Sequence, residues 1–490
     1  MSAIKENEFC DDDNEYYDFK KASKIEKPYR NITKIYDLSA FTHLKILNID
    51  HNHLRYLPPF NDALTDLDCS DNLLYELPPL NNLRYLNCSN NRLEKMPEFT
   101  ENLEIIKCAS NHLSYLPKFN KKLRFLRCND NYLYTLPEFS ENLTEVFCCN
   151  NFIRYLPPFN KNLVVLECFK NYLKELPEFN ENLKVIYCQE NRLETFPKLS
   201  TNLFSVNCSN NKLKSFPVLN ENLMFLNCEN NEISFFQELN DLHYSLLYML
   251  SCANNKLNRL DKIPRKMIRL DCSENNLEQL PALNTNLETL ICHSNRLRSL
   301  PELKNTKLRY LDCSNNYLNQ LPDLDRRVTE HFTTYLPYLY LNCSNNRLVE
   351  LPSLKNISIR KLYCNNNGLT YLPKLDNSLK VIECANNFLT SIPSLPYNIE
   401  RFVCENNPVH SVIHSDSILS MSENIEKWNR FRYLYFRLKM RKNIRRNVFE
   451  KIRQPKIEAA YHPSRISELL DDKDINDIED IEGEFEEIEL

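Results

Sequence analysis

Glycine is nearly missing from this 490-residue chain, which holds only Gly368 and Gly483. A phosphate-cradling loop or a dinucleotide-binding turn needs several glycines close together, so both are excluded. Histidine is sparse as well, ten in all, and none is read as a metal ligand or as part of a catalytic triad. No stretch approaches the roughly 18 apolar residues of a membrane span. The opening MSAIKENEFCDDDNEYYDF has no basic start and no apolar run, so no secretory signal is expected. Neither sign of charge dominates: a net charge of −5 gives no general pull toward nucleic acid or an anionic membrane.

What the chain has in excess is cysteine at a fixed phase. Of its 19 cysteines, 17 recur from Cys69 to Cys404, mostly 19 to 21 residues apart, and an asparagine follows each of them by three positions. An opening copy puts Ile49 in the cysteine slot with Asn52 after it. A fixed period of this length is the signature of a solenoid. One unit reads LRYLNCSNNRLEKMPEF, Leu83 to Phe99. In it Leu86 and Cys88 are two apart and share one face of a strand, while Tyr85 and Asn87 share the other. Leu93, Met96 and Phe99 come from the returning segment and are expected to close the core. Proline, as at Pro78 and Pro117, disfavours helix at the residue before it, which predicts an extended or single 3₁₀ return. One unit buries too little to fold alone, so many must stack.

Stacking assigns the repeated residues structural roles, here typified by Cys88, Cys108 and Cys128 with Asn91, Asn111 and Asn131. Strands in register lie about 4.7–4.9 Å apart, too far for the roughly 3.8 Å between the Cβ atoms of a disulfide. Neither disulfides nor zinc fit a spacing of twenty, and reduced thiols acting as small hydrophobes do. A reducing compartment, the cytoplasm, follows. The two cysteines out of phase, Cys10 and Cys149, are expected to react readily. Each asparagine is expected to bond backbone groups of its own and the adjoining bend.

The pattern L-x-x-L-x-C-x-x-N-x-L resembles the strand motif of the leucine-rich-repeat family, with cysteine in the third leucine position. LPEFNENL (176–183) is similar to the short repeats of bacterial effectors, and L-x-C-S-x-N in a Lys-, Asn-, Ile- and Tyr-rich chain resembles repeat proteins of large DNA viruses of amoebae. The resemblance covers about 44–412. It implies a β-rich leucine-rich-repeat solenoid of about 18 repeats, with a parallel sheet on the concave face and an extended or 3₁₀ convex side. A C-terminal α-helical segment completes the expected fold. The implied domains are a flexible acidic N-terminus (1–25), a cap (26–43), the solenoid (44–412), a helical basic cap region (413–470) and an acidic tail (471–490). Extra length falls at 240–247 and 325–338.

Function is expected on the outward strand positions. Tyr85, Ile105, Phe125, Phe147, Val165, Val185 and Tyr187 form an apolar patch there, with Lys107 and Arg127 beside it, and large exposed apolar patches mark interaction sites. Packing between strands alone also favours such residues. The expectation is a non-enzymatic scaffold that binds a protein partner and uses no cofactor, metal or small-molecule substrate. Two alternatives stand beside it. One is a substrate-recognition adaptor for ubiquitin-ligase-type machinery. Effectors of similar appearance attach a ligase domain with a nucleophilic cysteine, but no cysteine follows Cys404 here. The other is nucleic-acid or anionic-membrane binding through 425–456, which carries 12 Lys and Arg against 2 Glu. In that stretch Ile425, Trp428, Phe431, Leu434 and Leu438 recur at helical spacing, and the stripe is expected to cap the last repeat, burying Val409 and Val412.

Overall fold

The computed structural model describes residues 22–35, 38, 41–236, 246–303, 306–324, 338–354 and 357–444, with side chains described as far as 432. Two compact units result, Met1–Asn276 and Leu277–Leu490. In the first, thirteen short parallel strands run from Lys24–Glu26 to Arg269–Asp271, each paired with the next. In the second, six run from Thr289–Ile291 to Arg401–Val403. Two helices follow, α1 (His410–Ile413) and α2 (Ile418–Ile444). The turns therefore form a parallel-β solenoid.

Register repeats from turn to turn. Leu86 faces Ile106 and Ile106 faces Leu126, all fully buried. The residues on either side of them point outward. Two residues past each strand centre the cysteine turns inward, and its N–H bonds the carbonyl at the end of the next strand, as Cys88 does to Lys107 at 2.8 Å. All eighteen described cysteines are buried and unpaired with one another. The return is extended; two isolated parallel bridges, Thr135–Tyr155 and Phe216–Phe236, extend the stacking to that side, and no 3₁₀ turn occurs among the described residues. Met96 is buried there, but Phe99 is only half-buried and stacks on Phe119 with ring centroids 6.2 Å apart, so the core closes without it.

The bend after each strand needs a left-handed residue. Eighteen bends from His51 to Asn406 place one there, with φ between 49 and 57°, and none is glycine. Asparagine and aspartate fill twelve of them, the residues other than glycine whose short polar side chains tolerate that conformation best. The next residue is the repeated asparagine. Asn131 is typical: its Oδ1 accepts the N–H of Leu113 at 3.0 Å, and its Nδ2 faces the carbonyls of Cys108, Cys128 and Asn129 at 3.0 to 3.2 Å. One amide thus serves its own bend and the bend before it, where stacking excludes water.

The ends reuse the same devices. Asn52 reaches back to the Lys27 carbonyl and accepts the N–H of Ile32, tying down the strand Lys24–Glu26. That strand pairs with Ile46–Asn48, so Lys24 and Ile25, assigned to the flexible N-terminus from sequence, belong to the sheet. At the other end Met421, Ile425, Trp428 and Phe431 of α2 are buried. The Trp428 indole N–H donates to the Thr390 carbonyl at 3.0 Å, and the Asn429 amide to that of Ile392 at 2.8 Å. Val409 is buried as expected, but Val412 is only half-buried, and its neighbour Ile413 is the fully buried one. Residues 1–21, most of both insertions (240–245 and 325–337), the basic stretch beyond 444 and the acidic tail lie outside the described residues.

Candidate functional site

Each three-residue strand shows its first and third side chains on one face, giving two columns. The first runs Tyr85, Ile105, Phe125, Glu145, Val165, Val185, Ser205; the second runs Asn87, Lys107, Arg127, Phe147, Glu167, Tyr187, Asn207. Of the nine residues expected to form the patch, Arg127 is exposed and the other eight are half-buried. Phe125 and Phe147 meet across the two columns, ring centroids 5.4 Å apart and tilted by 37°. The Lys107 ammonium lies 5.4 Å from the Tyr85 ring, a cation–π contact. The Tyr187 hydroxyl is 3.2 Å from that of Ser205.

An acidic residue interrupts each column. Glu145 stands between Phe125 and Val165, and Glu167 between Phe147 and Tyr187. Each of these strands still contributes a patch residue, and the strand of Phe147 pairs directly with that of Val165. Burial raises the Glu167 carboxyl above the usual range, and the Arg127 charge partly offsets it.

Two hollows open on this face. One, of about 320 Å³, lies between Lys107 and Arg127 on the strands and the bends at Asn90 and Ser110. The other, of about 530 Å³, is floored by Phe225 and Met249, with Glu229, Arg269 and Asp271 around them. The second was missed because its apolar floor follows a small residue, Ser205, where the run of large side chains breaks. Also missed were exposed tyrosines beside the bends. Tyr132 and Tyr172 stack on either side of Phe152 at 5.9 Å, and Arg192 covers Tyr172 at 4.4 Å. They sit one residue past the repeated asparagine, off the strand positions where exposed side chains are expected. In the second unit Tyr310 and Tyr340 stack at 4.3 Å, and burial raises the Tyr340 hydroxyl above the usual range.

Cys149 corrects an expectation. It is buried, and burial pushes its thiol up to about 12, the opposite of a reactive cysteine. Its N–H is held by Asn129 Oδ1 at 2.8 Å, which ties this bend to the turn before it. Cys10 lies outside the described residues. His410, which opens α1, and His414, just past its end, bring their rings within 4.9 Å. Among the described residues no group of three or more His, Cys, Asp or Glu could hold a metal ion, and no helix is long and apolar enough to cross a membrane.

A parallel-β solenoid whose turns are closed by inward cysteines and bend asparagines is a repeat scaffold presenting one open strand face. The family model "Leucine Rich repeats (2 copies)" matches residues 285–326. Among solved structures, YopM from Yersinia enterocolitica WA-314 is 28% identical, with a TM-score of 0.64 over 78% of this chain and 90% of that one. YopM from Yersinia pestis, described as a leucine-rich effector protein, is 32% identical, with a TM-score of 0.54 over 66% of this chain and 88% of that one. A leucine-rich-repeat protein of Leptospira interrogans shares the fold at 22% identity and a TM-score of 0.50, over 74% of this chain and 92% of that one. Comparison with curated proteins returns no match. The chain belongs to the leucine-rich-repeat family, and its repeats match those of the bacterial effector.

Proposed function

We propose that the chain is a non-enzymatic scaffold that binds a protein partner through its strand face, acting in the cytoplasm. The observation that carries this reading is the Phe125–Phe147 pair. Two aromatic rings in contact are held half-exposed on a sheet, with Lys107 and the exposed Arg127 beside them and no described element over them. Aromatic residues and arginine dominate binding hot spots because they exclude water over a large area and still offer polar contacts. Rings already braced by strands lose little freedom on binding. The α2 stripe supports the same reading, since Met421, Ile425, Trp428 and Phe431 are buried, with Trp428 bonded to the Thr390 carbonyl.

The test is affinity purification with mass spectrometry, comparing the native sequence with Phe125→Glu combined with Phe147→Glu. Partners recovered with the native face are expected to fall at least tenfold with the variant, a loss of about 1.4 kcal/mol or more of binding free energy. An unchanged partner set from a variant that still melts cooperatively rules the patch out as the binding site.

A further inference from the structure

We infer that the hollow between Lys107, Arg127 and the bends receives a phosphorylated side chain of the protein partner; this rests on the reading of the strand face as a protein-binding surface. Lys107 and Arg127 lie opposite one another in adjacent strands. Neither makes an ion pair among the described residues. The strands that carry them lie about 4.8 Å apart, so an anion lodged between the two side chains meets both cations at once.

The walls supply donors as well as charge. Ser89, Ser110 and Asn129 line the same hollow, and the two hydroxyls and the Asn129 amide nitrogen make no hydrogen bond among the described residues. A phosphate monoester offers three acceptor oxygens and close to two charges, enough to engage both cations and a hydroxyl together. A carboxylate has two oxygens and one charge. Asp71 and Asp130 also line the hollow, and each already accepts an amide, from Asn90 at 2.9 Å and Asn150 at 2.7 Å. With two cations and two carboxylates the lining has no net charge. It therefore favours a compact anion set against the Lys107–Arg127 wall over a long polyanion such as a nucleic-acid backbone.

The probes are three degenerate peptide pools, identical except for phosphoserine, serine or glutamate at the centre, passed over the immobilised full chain. At pH 7.4 the phosphoserine pool is expected to be retained about tenfold over the other two. Near pH 5 that advantage falls severalfold, because phosphate loses its second charge around pH 6 while glutamate stays ionised. Lys107→Gln with Arg127→Gln abolishes the preference. Ser110→Glu does the same independently, at a bend position whose counterpart two pairs of turns later, Glu190, already carries that side chain with the same left-handed backbone. Equal retention of the phosphoserine and serine pools overturns the inference, as does a preference that survives both variants. Equal retention of phosphoserine and glutamate assigns the hollow to acidic side chains and also overturns it. Partner loss with Phe125→Glu and Phe147→Glu alongside equal pools removes the phosphate site alone and leaves the protein-binding face standing.

Discussion

Inside and outside positions of the same strands obey different rules. Through the interior run Leu86, Ile106, Leu126 and Val146, then the cysteines and asparagines, with one kind of residue in each column. One atom row away, on the open face, Tyr85, Ile105, Phe125, Glu145 and Val165 share no size or charge. In a stack held in register, an inward residue packs chiefly against its own counterparts in the turns before and after. Any change in its volume is felt in both neighbours. Outward residues touch neighbours only along their edges and otherwise meet water, so the frame leaves them free to specify a partner.

The largest effect that can break this contrast is alkaline pH. Burial pushes the thiols of Cys108 and Cys343 up to about 12, and most of the other thiols in the column move the same way. In the unfolded chain thiols ionise near pH 8.5. The folded state keeps those protons above that pH and the unfolded state does not, so stability is full below about 8.5 and falls as pH rises toward 12. Each buried thiol contributes a loss of about 1.4 kcal/mol per pH unit in that window. Summed over the column, the melting temperature is expected to drop steeply between pH 8 and 10. A melting temperature flat across that range contradicts a buried thiol column.

Asn131→Ala acts on one bend. It leaves the Leu113 N–H without its acceptor and the Cys108 carbonyl with Asn111 as its remaining side-chain donor, and is expected to cost about 1–3 kcal/mol, read from urea unfolding. Hydrogen exchange should speed up first in the turns around 108–131, because each turn leans only on its neighbours. A loss below about 0.5 kcal/mol would show that water replaces the amide at no penalty.

The smallest effect is a gain. Lys170 holds φ at 55°, strained for a side chain that brings no short-range hydrogen bond. Lys170→Gly is expected to stabilise the chain by about 0.5–1 kcal/mol in the same urea measurement, the strain relieved less the greater freedom of glycine when unfolded. The corresponding change at the bend residue Asn150 should gain less, since asparagine tolerates the conformation.

Legibility in the sequence follows the same division. The period, the inward cysteines and the bend asparagines were readable because stacking imposes one requirement at every turn, so the signal adds. Phe99 was misjudged because phenylalanine there stacks on Phe119 along the side of the coil instead of filling it. Cys149 was misjudged because it sits in a bend held against the preceding turn by the Asn129 amide, a contact the strand pattern does not encode. The strand Lys24–Glu26 carries no cysteine or asparagine of its own; it is held by Asn52 from the next turn, so no repeat marks it. On the face, the candidate residues and the acidic positions Glu145 and Glu167 were readable by position, but both hollows depend on how neighbouring side chains stand in three dimensions.

The account stands on turns whose repeated residues are committed inward, leaving the open face to vary. Counting reactive thiols in a Cys10→Ser chain tests this most directly. None of the remaining eighteen cysteines, Cys149 included, should react with an aromatic disulfide reagent at pH 8 while the chain is folded, and all eighteen should react in guanidinium. Rapid reaction of several thiols in the folded chain would contradict it.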